Sequence, residues 1–297
     1  MFSTAQRCGP PAEHATTCSH EREHGALASV GLSLTEHLFG VHRGSGCFSP
    51  PTCGKTDMTK SGYRRVLLKI SGEGLCATDR TGIDGTELKR LAGEIKLVVD
   101  LGVQLAVVVG GGNIVRGSTI AKDSPIEEAT GHYMGMLATV INAIAVQDTL
   151  ESIGVPTRVQ SAIAVDRVCE KFIRRRAVRH LEKGRVVIFG GGTGNPFVTT
   201  DTGGALRASE IGADVMLKAT KVDGVYTADP MTDPDAKRIE RLTFDEVINR
   251  RLGVMDVSAV DLCQRTGVPI IVFNLRKEGN MRAVVMGEDV GTTIGPA

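Results

Sequence analysis

From residue 63 onward, short uninterrupted apolar runs alternate with stretches whose apolar residues recur every three or four positions. Val66, Leu67, Leu68 and Ile70 make the first run, and residues 103–109, 157–160, 185–189, 215–217 and 270–273 supply the others. Runs of this length without polar alternation mark strands buried on both faces. Between them, residues 87–101, 133–153, 170–182 and 203–211 carry helical spacing. The alternation predicts an α/β fold, a three-layer αβα sandwich with a mainly parallel central sheet, over residues 63–294. Ligands of such sheets bind beyond the carboxyl ends of the strands, so candidate chemistry is sought there.

Residues 1–57 break the pattern. They hold five of the seven His, four of the seven Cys, and Gly, Ser and Pro without sustained period. The expectation is a disordered leader or a mis-assigned start, with Met58 opening the patterned domain. His14, Cys18, His20 and His24 follow no standard zinc spacing. Gly54-Lys55-Thr56 resembles the end of a Walker loop, but Ser49 stands where that loop needs its first glycine.

Composition refines this picture modestly. The chain is 41% hydrophobic, with 36 Gly, 4% aromatics and no Trp, so its core must be packed with aliphatic residues. A net charge of +1 points to no nucleic acid or anionic membrane. No apolar run approaches the roughly 20 residues that cross a bilayer. The seven cysteines show no framework spacing and fit free thiols in a reducing cytosol. The basic run Arg174, Arg175, Arg176 and Arg179 has no aromatic platform beside it and reads as a solvated or intersubunit face.

Four segments carry candidate chemistry. Lys69 ends an otherwise apolar strand, where an unused charge is costly, and Ile70, Ser71, Gly72, Glu73 and Gly74 follow it. These glycines suit a phosphate cradle. Gly72, Gly74 and Ala77 also match a dinucleotide fingerprint, though they run into a loop rather than a helix. Gly110, Gly111, Gly112 and Asn113 form a second cradle, with Arg116 offering a planar fork for phosphate oxygens. The bland alternative is a tight turn with a solvated arginine. Thr193, Gly194, Asn195, Pro196, Phe197, Val198, Thr199 and Thr200 lead to Asp201 at a helix start, where it can cap the helix or orient a lysine. Lys218 ends a second apolar strand, and Thr220, Tyr226 and Asp229 follow. Two strand-end lysines, an arginine, glycine cradles and one acid are the parts phosphoryl transfer requires: placement, and cancellation of negative charge.

Taken together, Lys69-Ile-Ser-Gly-Glu, Gly110-Gly-Gly-Asn, Thr193-Gly-Asn-Pro-Phe and Lys218-Ala-Thr-Lys-Val-Asp-Gly-Val-Tyr resemble bacterial uridylate kinases of the amino acid kinase superfamily. The resemblance implies transfer of the γ-phosphate of ATP to UMP in pyrimidine nucleotide biosynthesis, with Mg2+ accompanying ATP. It implies ATP contacts from Lys69, Ile70, Ser71, Gly72, Gly112, Arg116, Thr220, Tyr226 and Asp229. UMP contacts would come from Gly111, from His132, and from Thr193 to Thr200. Catalytic roles fall to Lys69, Lys218, Asp201 and Arg116. It further implies a cytoplasmic homohexamer inhibited by UTP, with Asp79, Arg80, Thr81, Gly82, Ile83 and Asp84 matching a segment associated with GTP activation.

One position departs: the family typically has an Asp where this chain has His132. An imidazole cannot accept two hydrogen bonds from a ribose diol as a carboxylate can. UMP binding is then expected to persist but to be weaker by ~1–2 kcal/mol. Two alternatives compete with this reading: a non-catalytic module that senses uridine nucleotides, and another kinase of the same fold acting on an amino acid, acetylglutamate or carbamate.

Overall fold

Arg65–Ile70 form β1, and burial on both faces sets this strand in the middle of a nine-stranded sheet. The structure, a computed structural model, describes residues 62–77, 80–228, 232–233 and 235–297, all within the unit Gly54–Ala297. The leader with its His/Cys cluster and its Gly54-Lys55-Thr56 lies outside the described residues, as do Asp79 and Asp229.

Across the sheet the order is β4 (Glu170–Lys171), β3 (Thr157–Ser161), β5 (Val186–Gly190), β2 (Gln104–Val109), β1, β6 (Val215–Thr220), β10 (Ile270–Asn274), β11 (Thr292–Gly295) and β9 (Arg241–Thr243). Pairing is parallel from β4 through β10. It turns antiparallel between β10 and β11, and β9 then runs parallel to β11. β7 (Val225–Tyr226) and β8 (Arg238–Ile239) make a separate antiparallel ribbon.

Helices cover both faces, as the alternation predicts. One face packs Leu91, Ile95 and Val98 of α1 (Gly85–Val99), Ala143, Val146 and Leu150 of α3 (Glu128–Ser152), and Met281, Val284 and Val285 of α8 (Asn280–Met286). The other packs α4 (Arg174–Glu182), α5 (Thr200–Ile211), α6 (Phe244–Asn249) and α7 (Val257–Thr266) through residues such as Leu181, Ala208, Phe244 and Val260. α2 (Gly117–Asp123) crosses α3 where two glycines meet. A Cβ on Gly117 would stand 2.3 Å from the Gly131 carbonyl oxygen, so only glycine permits that approach.

Two sequence expectations need correction. Residues 170–182 are not one helix: Glu170 and Lys171 pair with Gln160 and Ser161 as an edge strand, and the helix begins at Arg174. α5 starts at Thr200 rather than Gly203, because the Thr199 side chain accepts the Asp201 N–H and caps it. α3 is 25 residues long, and an 18-residue stretch of it reaches a mean hydropathy of 1.2, yet His132, Asn142, Gln147 and Asp148 interrupt it. Its buried face lies on the sheet, while Tyr133, Leu137 and Ile141, spaced one turn apart, are about half exposed. Cys76, Cys169 and Cys263 carry free thiols, and burial pushes that of Cys263 up to about 12.

Candidate active site

Strand parity places the two lysines together. Along β1, Val66, Leu68 and Ile70 enter the core under α1 and α3, whereas Leu67 enters the core under α5. Side chains alternate faces, so Lys69 follows Leu67. On β6 the same alternation sends Lys218 to the side of Met216. The strands are parallel neighbours with Lys69 directly opposite Lys218. Two ammoniums are thereby forced side by side at the carboxyl end of the sheet.

Asp201, in the first turn of α5, separates them. Its Oδ1 lies 2.6 Å from Lys69 Nζ, a charge contact without aligned hydrogen-bond geometry, and Lys218 Nζ donates to Oδ2 at 2.7 Å. Lys218 also donates to the Val254 carbonyl. The helix comes this close because it is glycine there: a Cβ on Gly204 would meet Met216 Cε at 2.7 Å and Lys69 Cγ at 3.6 Å. The capping role open to Asp201 is filled by Thr199, whose hydroxyl also donates to Asp256. Burial pushes the Asp201 carboxyl up, but the Lys69 and Lys218 charges outweigh it and hold the group below the usual carboxylate range. Burial draws the Lys218 ammonium down, and the nearby Asp201 charge restores only part of that.

Beside the lysines the first two glycine segments interlock. A Cβ on Gly72 would lie 2.4 Å from Asn113 Oδ1 and 2.7 Å from the Gly112 nitrogen; one on Gly110 would lie 2.8 Å from the Gly72 nitrogen. The 3-10 turn Gly72–Leu75 follows, so the dinucleotide alternative, which needs an α-helix here, does not hold. Asn113 is buried and donates to the Gly82 carbonyl at 2.8 Å and to Asn142 Oδ1 at 3.1 Å. Asn142 donates in turn to Asn113 Oδ1 and to the Gly110 carbonyl, both at 2.7 Å. Sequence reasoning passed over Asn142; a fully buried amide in the apolar helix α3 was the signal. Truncation to alanine strands several buried partners and is expected to cost about 1–3 kcal/mol, read as a fall in the urea midpoint.

Arg116 does not stand free. It pairs with Glu73, which also takes Lys221 Nζ at 2.9 Å, so one carboxylate gathers two half-exposed cations beside the cradle. The third segment curls through left-handed backbone at Gly191, Gly192 and Gly194, and at Phe197, whose φ is +64°. For a residue with a Cβ that conformation costs about 1–2 kcal/mol. The Gly191 N–H donates to Thr139 Oγ1 at 2.7 Å. The Phe197 N–H donates to His132 Nδ1 at 2.7 Å, and the two rings meet edge to face at 4.9 Å. Asn195, Val198 and Thr199 are exposed, with Thr193, Gly194, Pro196 and Thr200 partly so.

Thr220, at the end of β6, and Tyr226 line a cavity of about 470 Å3 with Val222, Gly224, Val254 and Val272. Tyr226 also borders a smaller one of about 280 Å3, bounded by Asp223, Lys277, Arg238 and Asn280. Arg80 and Thr81 stand exposed on the loop before α1. Gly82 is tied to Asn113 through both its N–H and its carbonyl, and Asp84 caps α1. Ile83 is partly exposed.

Two largely buried ammoniums thus straddle one carboxylate, with backbone cradles alongside, at the carboxyl end of a mainly parallel α/β sheet. The profile of the Amino acid kinase family matches residues 64–274. The uridylate kinase of Methylococcus capsulatus is 54% identical over 237 residues, covering 80% of this chain and 99% of its own. That of Paramagnetospirillum magneticum is 60% identical over 232 residues, covering 78% and 96%. Among solved structures, UMP kinase from Bacillus anthracis superposes with a TM-score of 0.77 at 40% identity, over 78% of this chain and 96% of that one. UMP kinase from Ureaplasma parvum gives 0.74 at 35% identity, over 78% and 98%. The chain belongs to the amino acid kinase family, and within it to the uridylate kinases.

Proposed function

We infer that this protein transfers the γ-phosphate of ATP to UMP, giving ADP and UDP. The observation that carries the reading is the pair Lys69 and Lys218 held on either side of Asp201. A transferring phosphoryl group spreads negative charge over its equatorial oxygens, and two fixed ammoniums in a partly dry site oppose that charge strongly. Asp201 stands between the two ammoniums, and its charge opposes the effect of burial on Lys218. The acceptor is already a phosphate oxygen, so the reaction needs no general base.

ATP lies along Lys69, Ile70, Ser71, Gly72, Gly112 and Arg116, with Thr220 and Tyr226 toward its base; Asp229 is an ATP contact by resemblance alone. The Tyr226-lined cavities support this placement. UMP takes Gly111, His132 and the segment Thr193, Gly194, Asn195, Pro196, Phe197, Val198, Thr199 and Thr200. Mg2+ would arrive with ATP, since both oxygens of Asp201 face lysines. Held by the nucleotide rather than by this chain, it would add to the charge neutralisation that Lys69 and Lys218 provide.

The finer expectations belong to the same reading. The exposed stripe Tyr133, Leu137 and Ile141 supports self-association, for which we propose a hexamer. The two Gly82–Asn113 bonds tie the Arg80–Asp84 loop to the cradle, which supports an effector such as GTP acting there. Inhibition by UTP, a cytoplasmic location and a dispensable leader at 1–57 complete the proposal.

The test is ADP release from ATP and Mg2+ by the full chain, with UMP, CMP, dUMP, glutamate and aspartate as parallel acceptors. Turnover with UMP far above the others is expected. Equal turnover with an amino acid, or none with UMP, would overturn the reading.

A further inference from the structure

We propose that His132 acts as a latch for the acceptor loop: by accepting the Phe197 N–H at Nδ1 it holds residues 193–200 in their left-handed curl and so sets UMP affinity through the loop's shape. The inference rests on the reading of this segment as the UMP loop. Its geometry stands independently.

Several observations converge on this contact. Phe197 is one of two non-glycine residues with positive φ among the described residues, so this stretch does not adopt its shape by intrinsic preference. Its side chain is two-thirds exposed, so core burial does not hold it either. What touches it is His132, from 65 positions earlier in the chain, through a 2.7 Å hydrogen bond to its backbone and an edge-to-face ring contact at 4.9 Å. His132 is itself well placed to act as an anchor. It sits in the second turn of α3, next to Gly131, where the helix is pressed against α2.

The bond also fixes the tautomer. A nitrogen that accepts carries no proton, so the neutral ring keeps its proton on Nε2. Nε2 lies 3.9 Å from Glu128 Oε1, one turn back on the same helix, and is the ring's remaining donor. A ligand hydroxyl near this edge would therefore be met by a donor. His132 thus acts on the loop with one nitrogen and is free to act on the ligand with the other.

The experiment compares His132→Phe, which keeps a ring but has no acceptor, with His132→Asn, whose Oδ1 can stand where Nδ1 stands. Amide hydrogen exchange at Phe197 and Gly191 is followed in the full chain alongside KM and kcat for UMP and ATP. In His132→Phe the Phe197 amide should exchange up to about tenfold faster, the scale of one hydrogen bond. The Gly191 amide, bonded to Thr139, should keep its rate. The UMP KM should rise about tenfold, with the ATP KM and kcat moving less than threefold. His132→Asn should recover most of the protection and most of the affinity.

Unchanged Phe197 exchange would overturn the latch. Faster exchange with an unchanged UMP KM would overturn its role in affinity. Equal acceleration at Gly191, or equal loss of ATP affinity, would reduce His132 to a general packing residue and overturn both. If the unaltered chain did not phosphorylate UMP, the assignment of the loop would fall, while the exchange data would still decide the latch.

Discussion

Replacing Asp201 with asparagine is expected to lower kcat by about 10²–10³-fold and to move the alkaline limb of the pH–rate profile to lower pH. Both effects follow from the charges it faces. Lys69 and Lys218 sit on the same carboxylate, and burial already draws the Lys218 ammonium down. Asp201 is the strongest influence opposing that, whereas Lys69 acts in the same direction as burial. With the carboxylate gone, Lys218 sheds its proton more readily, so the charge required for transfer disappears earlier as pH rises.

The same charges set how stability depends on pH. In the unaltered chain the Asp201 carboxyl is held below its ordinary value, so its contribution is present above the unfolded pKa and lost as pH falls through the lower folded one. In the variant, the folded Lys218 lies below its unfolded value, so stability rises with pH between the two. Leaving buried charges unpaired costs about 3–5 kcal/mol at neutral pH. Urea midpoints at pH 7 and 9 should therefore converge between the two proteins as the medium becomes alkaline. Divergence would remove Asp201 from control of Lys218.

Gly72→Ala should be nearly as damaging, for a steric reason. The new methyl would meet Asn113 Oδ1 at 2.4 Å and the Gly112 nitrogen at 2.7 Å. Asn113 cannot swing aside without breaking its bonds to Gly82 and Asn142, and the nitrogen is main chain. The cradle must shift. Misplacement near 1 Å can cost about 10²-fold in rate, and overpacking adds about 1–3 kcal/mol of destabilisation. The comparison is Gly93→Ala, on the exposed side of α1 with nothing within 4 Å of the added carbon. There alanine should stabilise by about 0.5–1 kcal/mol and leave kcat/KM for ATP alone. Opposite signs from the same substitution in one chain would tie the first effect to the cradle; equal effects would dissolve that link.

The sequence made the chemistry easier to see than its supports. Lys69 and Lys218 each interrupt an apolar strand, and strand parity turned that oddity into adjacency once the register was known. Asp201 stood out as the single acid in a run of hydroxyls and glycines. What could not be read was pairing across distance: Phe197 with His132, Glu73 with Arg116 and Lys221, Asn113 with Asn142. No local pattern encodes such contacts, because each depends on where two elements meet. Apart from the strand at 270–273, the elements between residues 238 and 295 went unread for a different reason, most being too brief for periodicity to register. The exception was legible in principle: Thr243 and Glu246 spell a capping box at the start of α6.

β11 has a bearing on the order of assembly. It is the last strand in sequence, yet it lies between β10 and β9, so the edge strand β9 has no place in the sheet until residues 292–295 arrive. Strands β1 to β5, by contrast, complete their half of the sheet with residues 65–190 alone. During synthesis from the amino end, that half can dock while β9 and α6, already made, wait for a partner still to be translated. The surface they will join stays open longest, so this edge is the part of the sheet completed last.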